Sequence, residues 1–160
     1  MSPLAYNLLL GASCLYALLR GGGPERICAT AFLIATLLTV LVVRPAGIRF
    51  ASTDLGILTV DVALLILLVV VAIVANRLWP MAMAAMQLVE VAGHVARASP
   101  IVMPYAYATI LAIWSYPMLL MLIAATYRHQ WRIAKTGSDP SWRRFSGPRH
   151  PRTPSSGQTG

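Results

Sequence analysis

Residues 62–75 read VALLILLVVVAIVA, without one polar side chain. Asp61 precedes this run and Asn76-Arg77 close it. With the apolar residues from Leu55 onward it forms a segment over 55–75, long enough to cross a bilayer core, which takes about 20 residues. Four further segments flank it. Residues 3–19 are closed by Arg20 and the breaker Gly21-Gly22-Gly23-Pro24, and residues 27–43 by Arg44-Pro45. Residues 78–96 are more polar than the rest, and residues 101–127 contain Pro104 and Pro117. A proline inside a membrane helix is tolerated where neighbours satisfy the freed carbonyl, so Pro117 predicts a kink. The expected fold is an all-α integral membrane bundle of five spans.

Composition agrees with that reading. Hydrophobic residues make up 58% of the 160-residue chain and charged residues 11%. An average soluble domain is roughly 45–50% apolar and about 25% charged. Too little polar surface is present to wrap a soluble globule, and a disordered chain would be poor in apolar residues. The length excludes a large multidomain enzyme.

The net charge of +8 belongs mainly to the C-terminal end. From Arg128 onward the chain carries Arg128, Arg132, Lys135, Arg143, Arg144, Arg149 and Arg152 against one acid, Asp139. No nucleic-acid motif accompanies these charges, so anionic lipid is the expected partner of the basic tail and nucleic acid is not. Residues 136–160, rich in Gly, Ser and Pro, are expected to be a disordered cytoplasmic tail. Trp142-Arg143-Arg144-Phe145 reads as part of that solvated tail, or as a contact with lipid or a partner. Cys14 and Cys28 imply no disulfide framework.

Orientation follows the excess of basic residues on the cytoplasmic side. With five spans, Arg20, Arg26, Arg77 and the tail lie inside, and Arg44, Arg49 and Arg97 outside. The N-terminus is then outside, the C-terminus cytoplasmic, and the expected location a bacterial inner membrane. No basic residue precedes the first segment, which therefore resembles an uncleaved anchor rather than a signal peptide. Gly11-Ala12-Ser13-Cys14 departs from a lipoprotein box. Trp79, Tyr127, Trp131 and Trp142 lie near the inner boundary as interfacial anchors, and Met81, Met83 and Met86 read as packing residues.

The candidate functional residues are the ionisable ones inside the membrane. Gln87, Glu90, His94 and Arg97 follow spacings of 3, 4 and 3, one stripe down one helix face. A short connection at 76–79 makes the third and fourth helices antiparallel neighbours. At 1.5 Å per residue, Asp61 lies roughly 10 Å, His94 roughly 8 Å and Glu90 roughly 14 Å from the outer end. These three therefore meet in the outer half of the membrane, with Arg97 nearer the surface and able to snorkel. Tyr105, Thr109, Ala112 and Tyr116 share a face of the fifth helix, and Asn7, Gly11 and Cys14 a face of the first. Tyr105, Thr109 and Asn7 are possible contributors to the cluster.

Three readings of the cluster compete. The first is structural: two acids balanced by a histidine and an arginine glue the helices of a small accessory membrane protein, docked to a larger assembly. The second is a proton- or ion-coupled transport element, because a carboxylate beside a histidine exchanges protons near neutral pH. The third is a metal site on Asp61, Glu90 and His94, without the H-E-x-x-H pattern. His94 is the sole histidine within a span, which leaves two-histidine haem ligation without its second ligand. No phosphate loop, cysteine-based metal spacing or nucleophile elbow is present, so no catalytic residue, resident metal or cofactor is expected and the chain is not read as an enzyme.

Arg77-Leu78-Trp79-Pro80, Met86-Gln87-Leu88, His94-Val95-Ala96, Tyr105-Ala106-Tyr107-Ala108 and Ile113-Trp114-Ser115-Tyr116 carry a resemblance. Together they resemble a group of small, uncharacterised bacterial membrane proteins. In that group a Trp-Pro pair opens a helix bearing a later Gln or His, and a Trp-Ser helix follows. The resemblance covers the C-terminal half of the membrane region. It implies a multispanning inner-membrane protein and no activity.

Overall fold

The computed structural model describes residues 3–43, 50–75, 77–97 and 104–142, with backbone alone for helical residues 50–54, 95–97 and 104–114. Five helices follow one another: α1 (Pro3–Arg20), α2 (Gly23–Val43), α3 (Phe50–Val74), α4 (Trp79–Arg97) and α5 (Pro104–Thr136). Each helix packs on the next in sequence, α5 returns to α1, and α2 reaches α5 across the ring. The sequence boundaries correspond to local chemistry. Gly21 ends α1 with its amide on the carbonyl of Ala17 at 2.8 Å. Pro24 falls in the first turn of α2, where a missing N–H costs nothing, and Glu25 sits there against the positive helix end. Lys135 lies in the last turn of α5, favourable at the negative end of a helix. Gly137, at φ 73°, then takes the left-handed cap conformation, and its amide closes on the carbonyl of Ile133 at 2.9 Å.

Two helices are long and apolar enough to cross a membrane, over Gly23–Val42 and Leu55–Val74. Core helices of soluble proteins pass the same test, but those are mostly buried. Here only 11% of the Leu55–Val74 window is buried. Leu68 is wholly buried while Ile66 and Ile73 are 60% and 59% exposed. Leu8, Leu15, Leu37 and Leu120 also face outward. The interior instead uses small side chains, Cys14 and Ala17 on α1 and Cys28 and Ala29 on α2, as close helix packing in lipid favours. Several threonine hydroxyls are satisfied within their own helix. Thr36 donates to the carbonyl of Phe32 at 2.8 Å, Thr39 to Ala35 at 2.9 Å and Thr59 to Leu55 at 2.8 Å.

Two departures from the sequence expectations concern the C-terminal end. The fifth helix runs to Thr136, past the apolar limit at 127. Residues 137–142, expected to be part of a disordered tail, fold back on the bundle instead. Trp142 forms an antiparallel bridge with Ala75, and a Cβ added to Gly23 would lie 2.8 Å from its ring. Trp142 thus touches the bundle at Ala75 and Gly23 while its ring stays 38% exposed. Residues 143–160 lie outside the described residues.

Candidate functional site: a polar cavity and an ion-paired inner end

The stripe on α4 meets α3 as its spacing implies. His94 Nε2 lies 3.0 Å from Asp61 Oδ2. An imidazole nitrogen and a carboxylate oxygen therefore face each other across the α3–α4 contact. About two turns earlier on α4, Gln87 Nε2 donates to Asp61 twice, to Oδ1 and to the backbone carbonyl, at 3.4 Å each. These are long contacts, weaker than a well-formed hydrogen bond. Glu90 takes a different partner. Its Oε1 accepts from the Ser115 hydroxyl on α5 at 2.9 Å. Asp61, Gln87 and Glu90 line a cavity of about 210 Å³ between the helices, closed on other sides by Tyr6, Leu10, Phe32, Thr36, Leu64 and Met118. Tyr6 also packs edge-on against Tyr116, ring centres 5.5 Å apart.

Asn7 is exposed, and its neighbour Tyr6 is the residue of α1 that faces the cavity. The side chains of Arg97, Tyr105 and Thr109 lie outside the described residues. Of the three proposed metal donors, Asp61 and His94 face each other and Glu90 accepts from Ser115. Among the described residues no group of three His, Cys, Asp or Glu side chains is placed to hold a metal ion. Ser115 entered the sequence reading only within the Trp114-Ser115 pair of the resemblance, with no role in the cluster, and Tyr6 did not enter it. Ser115 lies three residues beyond Ala112, on the predicted face of α5, but a neutral serine there carries no signal of its own.

The end of the bundle where α1 and α5 finish and α2 and α4 begin holds a second cluster, assembled from charges that read individually as loop residues. Arg77, between α3 and α4, places Nη1 3.1 Å from Glu25 Oε1 and Nη2 2.6 Å from Asp139 Oδ2. His129 Nδ1 lies 2.7 Å from the same Asp139 oxygen and 3.2 Å from Arg77 Nη2. The two nitrogens are thus neighbouring donors converging on one acceptor. Arg132 Nη1 stands 3.5 Å from Asp139 Oδ1. Glu25 is wholly buried, and neither of its oxygens has an aligned hydrogen bond, so charge holds that pair. Gly22 leaves the room this requires: a Cβ there would lie 2.9 Å from His129 Cε1 and 3.0 Å from Glu25 Oε2. Gln130 adds a hydrogen bond from its side-chain amide to the carbonyl of Arg20. The network joins the start of α2, the α3–α4 connection, the end of α5 and residue 139.

Burial pushes the Asp139 carboxyl up, but the hydrogen bonds from His129 and Arg77 and the charges of Arg77 and Arg132 outweigh it and hold the group below its ordinary value. A carboxylate with a depressed folded pKa contributes stability that is complete above its unfolded value, about 3.9, and is lost as pH falls through the folded value. The difference in unfolding midpoint between the wild type and Asp139→Asn should therefore stay constant from pH 8 to 5. It should shrink only below about pH 4. Thermal unfolding in detergent across that range checks this, and a difference already gone at pH 6 would assign the tie to another group.

The chain matches no protein-family model, no curated protein and no solved structure.

Proposed function

We propose that this chain is a five-span inner-membrane protein of the bacterial type, N-terminus outside and C-terminus cytoplasmic, acting as a proton- or ion-coupled transport element. Several features support the membrane placement. The outward face of the bundle is apolar, and Arg20, Arg26, Arg77, Arg128, Arg132 and Lys135 gather at the end where α1 and α5 finish and α2 and α4 begin. Ionisable side chains inside a membrane usually face the bundle interior and mark pathways. The observation that carries the transport reading is that Asp61, Gln87 and Glu90 line a cavity instead of packing dry against one another. A space of about 210 Å³ exceeds the roughly 30 Å³ share of one water several-fold, and a water needs the polar partners that line this one. The Asp61–His94 pair at 3.0 Å places an imidazole against a carboxyl, and Glu90 brings a second carboxyl to the same cavity.

Purified protein in liposomes loaded with a pH-sensitive dye tests this under an imposed proton, sodium or potassium gradient. The wild type should dissipate or couple at least one gradient. Asp61→Asn should slow it by about tenfold or more, the carboxylate being the group that pays its desolvation cost at that depth. Vesicles with wild-type protein no faster than empty ones would reject the reading.

A second reading is an accessory membrane component docked to a larger assembly. It is favoured by the pairing of Asp61 with His94 and by the buried ion pairs of Arg77, which resemble a satisfied structural network. Isolation in mild detergent with a constant stoichiometric partner, together with absent flux, would support it.

A further inference from the structure

We infer that the outer groove between α4 and α5 is a binding site for an anionic phospholipid of the cytoplasmic leaflet. This groove, about 770 Å³, is distinct from the polar cavity. Its floor is built from Ala82 on α4 and Ala124 and Ala125 on α5, small residues that leave a trough between the two helices. Leu78 and Leu120, both largely exposed, form apolar walls for an acyl chain.

The inner end of the groove is different in kind. There Arg77, Arg128 and Arg132 line it. Arg77 is spent on Glu25 and Asp139, and Arg132 leans on Asp139 at 3.5 Å. Arg128 is exposed and has no ion-pair partner among the described residues. Two further donors at this end lack an acceptor: Trp79 Nε1 and Arg77 Nε are buried and unpartnered. This end of the groove is therefore rich in donors and positive charge, with its nearby acids already neutralised. A cationic head over an apolar trough, at the cytoplasmic side of a helix pair, complements a phosphate headgroup with its acyl chain along the bundle. A zwitterionic lipid fills the trough equally well but brings its own cation to Arg128.

The inference rests on the membrane placement proposed above and not on the role of the cavity. Its test uses the full chain in vesicles of phosphatidylcholine with and without phosphatidylglycerol, followed by gentle extraction and mass spectrometry of the retained lipid. The wild type should retain phosphatidylglycerol in preference to phosphatidylcholine. Arg128→Gln should cut that preference about fivefold, the effect of one arginine near an anionic headgroup. Ala124→Leu should reduce retention of either lipid by filling the trough, with no change in charge. Replacing Arg143, Arg144, Arg149 and Arg152 with glutamine in the full chain should leave the preference intact. Loss of preference in that last variant, with Arg128→Gln unchanged, would overturn the groove as the site. So would equal retention of both lipids by the wild type. Flotation with the vesicles separates the two readings: protein that floats without preference overturns the groove alone, and protein that fails to float overturns the membrane placement with it.

Discussion

Arg77→Ala should lower stability more than any other single substitution considered. Arg77 is 6% exposed and compensates Glu25 and Asp139 together. Its removal strands the wholly buried Glu25 and takes the shortest ion-pair contact from Asp139, which keeps His129 and Arg132. Removing one partner of a buried ion pair costs about 3–5 kcal/mol, since the remaining charge has lost both water and counter-charge. For a chain of this length that corresponds to a fall of roughly 10 °C in unfolding midpoint. Residues 137–142 should detach as well, because Asp139 and the Trp142 bridge are their visible ties, and cleavage at Lys135 and Arg132 by trypsin should accelerate. Arg77→Lys should recover only part of the loss, as a single ammonium cannot reach two acids with the spread of a guanidinium. Glu25→Gln combined with Arg77→Met should recover more, because it removes the stranded charge as well as its partner. An Arg77→Ala protein that melts within about 1 °C of the wild type would mean that the network contributes nothing.

This network also marks the limit of what could be read from the residues. The end of α1 was legible at Gly21-Gly22 and the start of α4 at Trp79-Pro80, whereas α2 opens at Gly23, inside the expected breaker Gly21-Gly22-Gly23-Pro24 and ahead of the expected start at 27. The polar stripe on α4 was legible because spacings of 3 and 4 put Gln87, Glu90 and His94 on one face whatever that face meets. Its pairing with Asp61 followed from depth and from the short connection to α3. The end of α5 was not legible from hydropathy, because a helix that runs past its apolar stretch keeps its backbone hydrogen bonds. Its stop at Thr136 is set by Gly137 instead. The inner cluster was hidden for another reason. Arg77 and Asp139 are separated by 62 positions, and each in isolation reads as a charge in a solvated loop. Counting Arg77 toward orientation and Asp139 toward the tail assigned both to water, whereas they face each other in the packed end of the bundle. Ser115 and Tyr6 were missed because a neutral hydroxyl carries no periodic signature until the cavity it lines is seen.

His94→Ala and Asp61→Asn should differ, and the direction of the difference tests whether the 3.0 Å pair exists as drawn. Both side chains are about four-fifths buried, 19% and 18% exposed. Taking away the imidazole leaves the Asp61 carboxyl with only the two 3.4 Å contacts from Gln87. Leaving a buried polar group without its partner costs about 1–3 kcal/mol. Asp61→Asn removes the charge, keeps the shape, and leaves a neutral ring that an amide can still hydrogen-bond. Its cost should stay under about 1 kcal/mol, within the net worth of one ordinary hydrogen bond. The double variant should then be more stable than His94→Ala alone, because the stranded carboxyl is gone, giving a coupling energy of about 1–2 kcal/mol for residues in contact. Unfolding midpoints of the four proteins in the same detergent measure that coupling, and strictly additive values would dissolve the pair. Gradient dissipation in the same four proteins reads the chemistry separately. A transport element loses flux in Asp61→Asn while keeping its midpoint, because the exchanging carboxylate has become an amide without disturbing the packing. An accessory protein shows the same midpoints with no flux to lose.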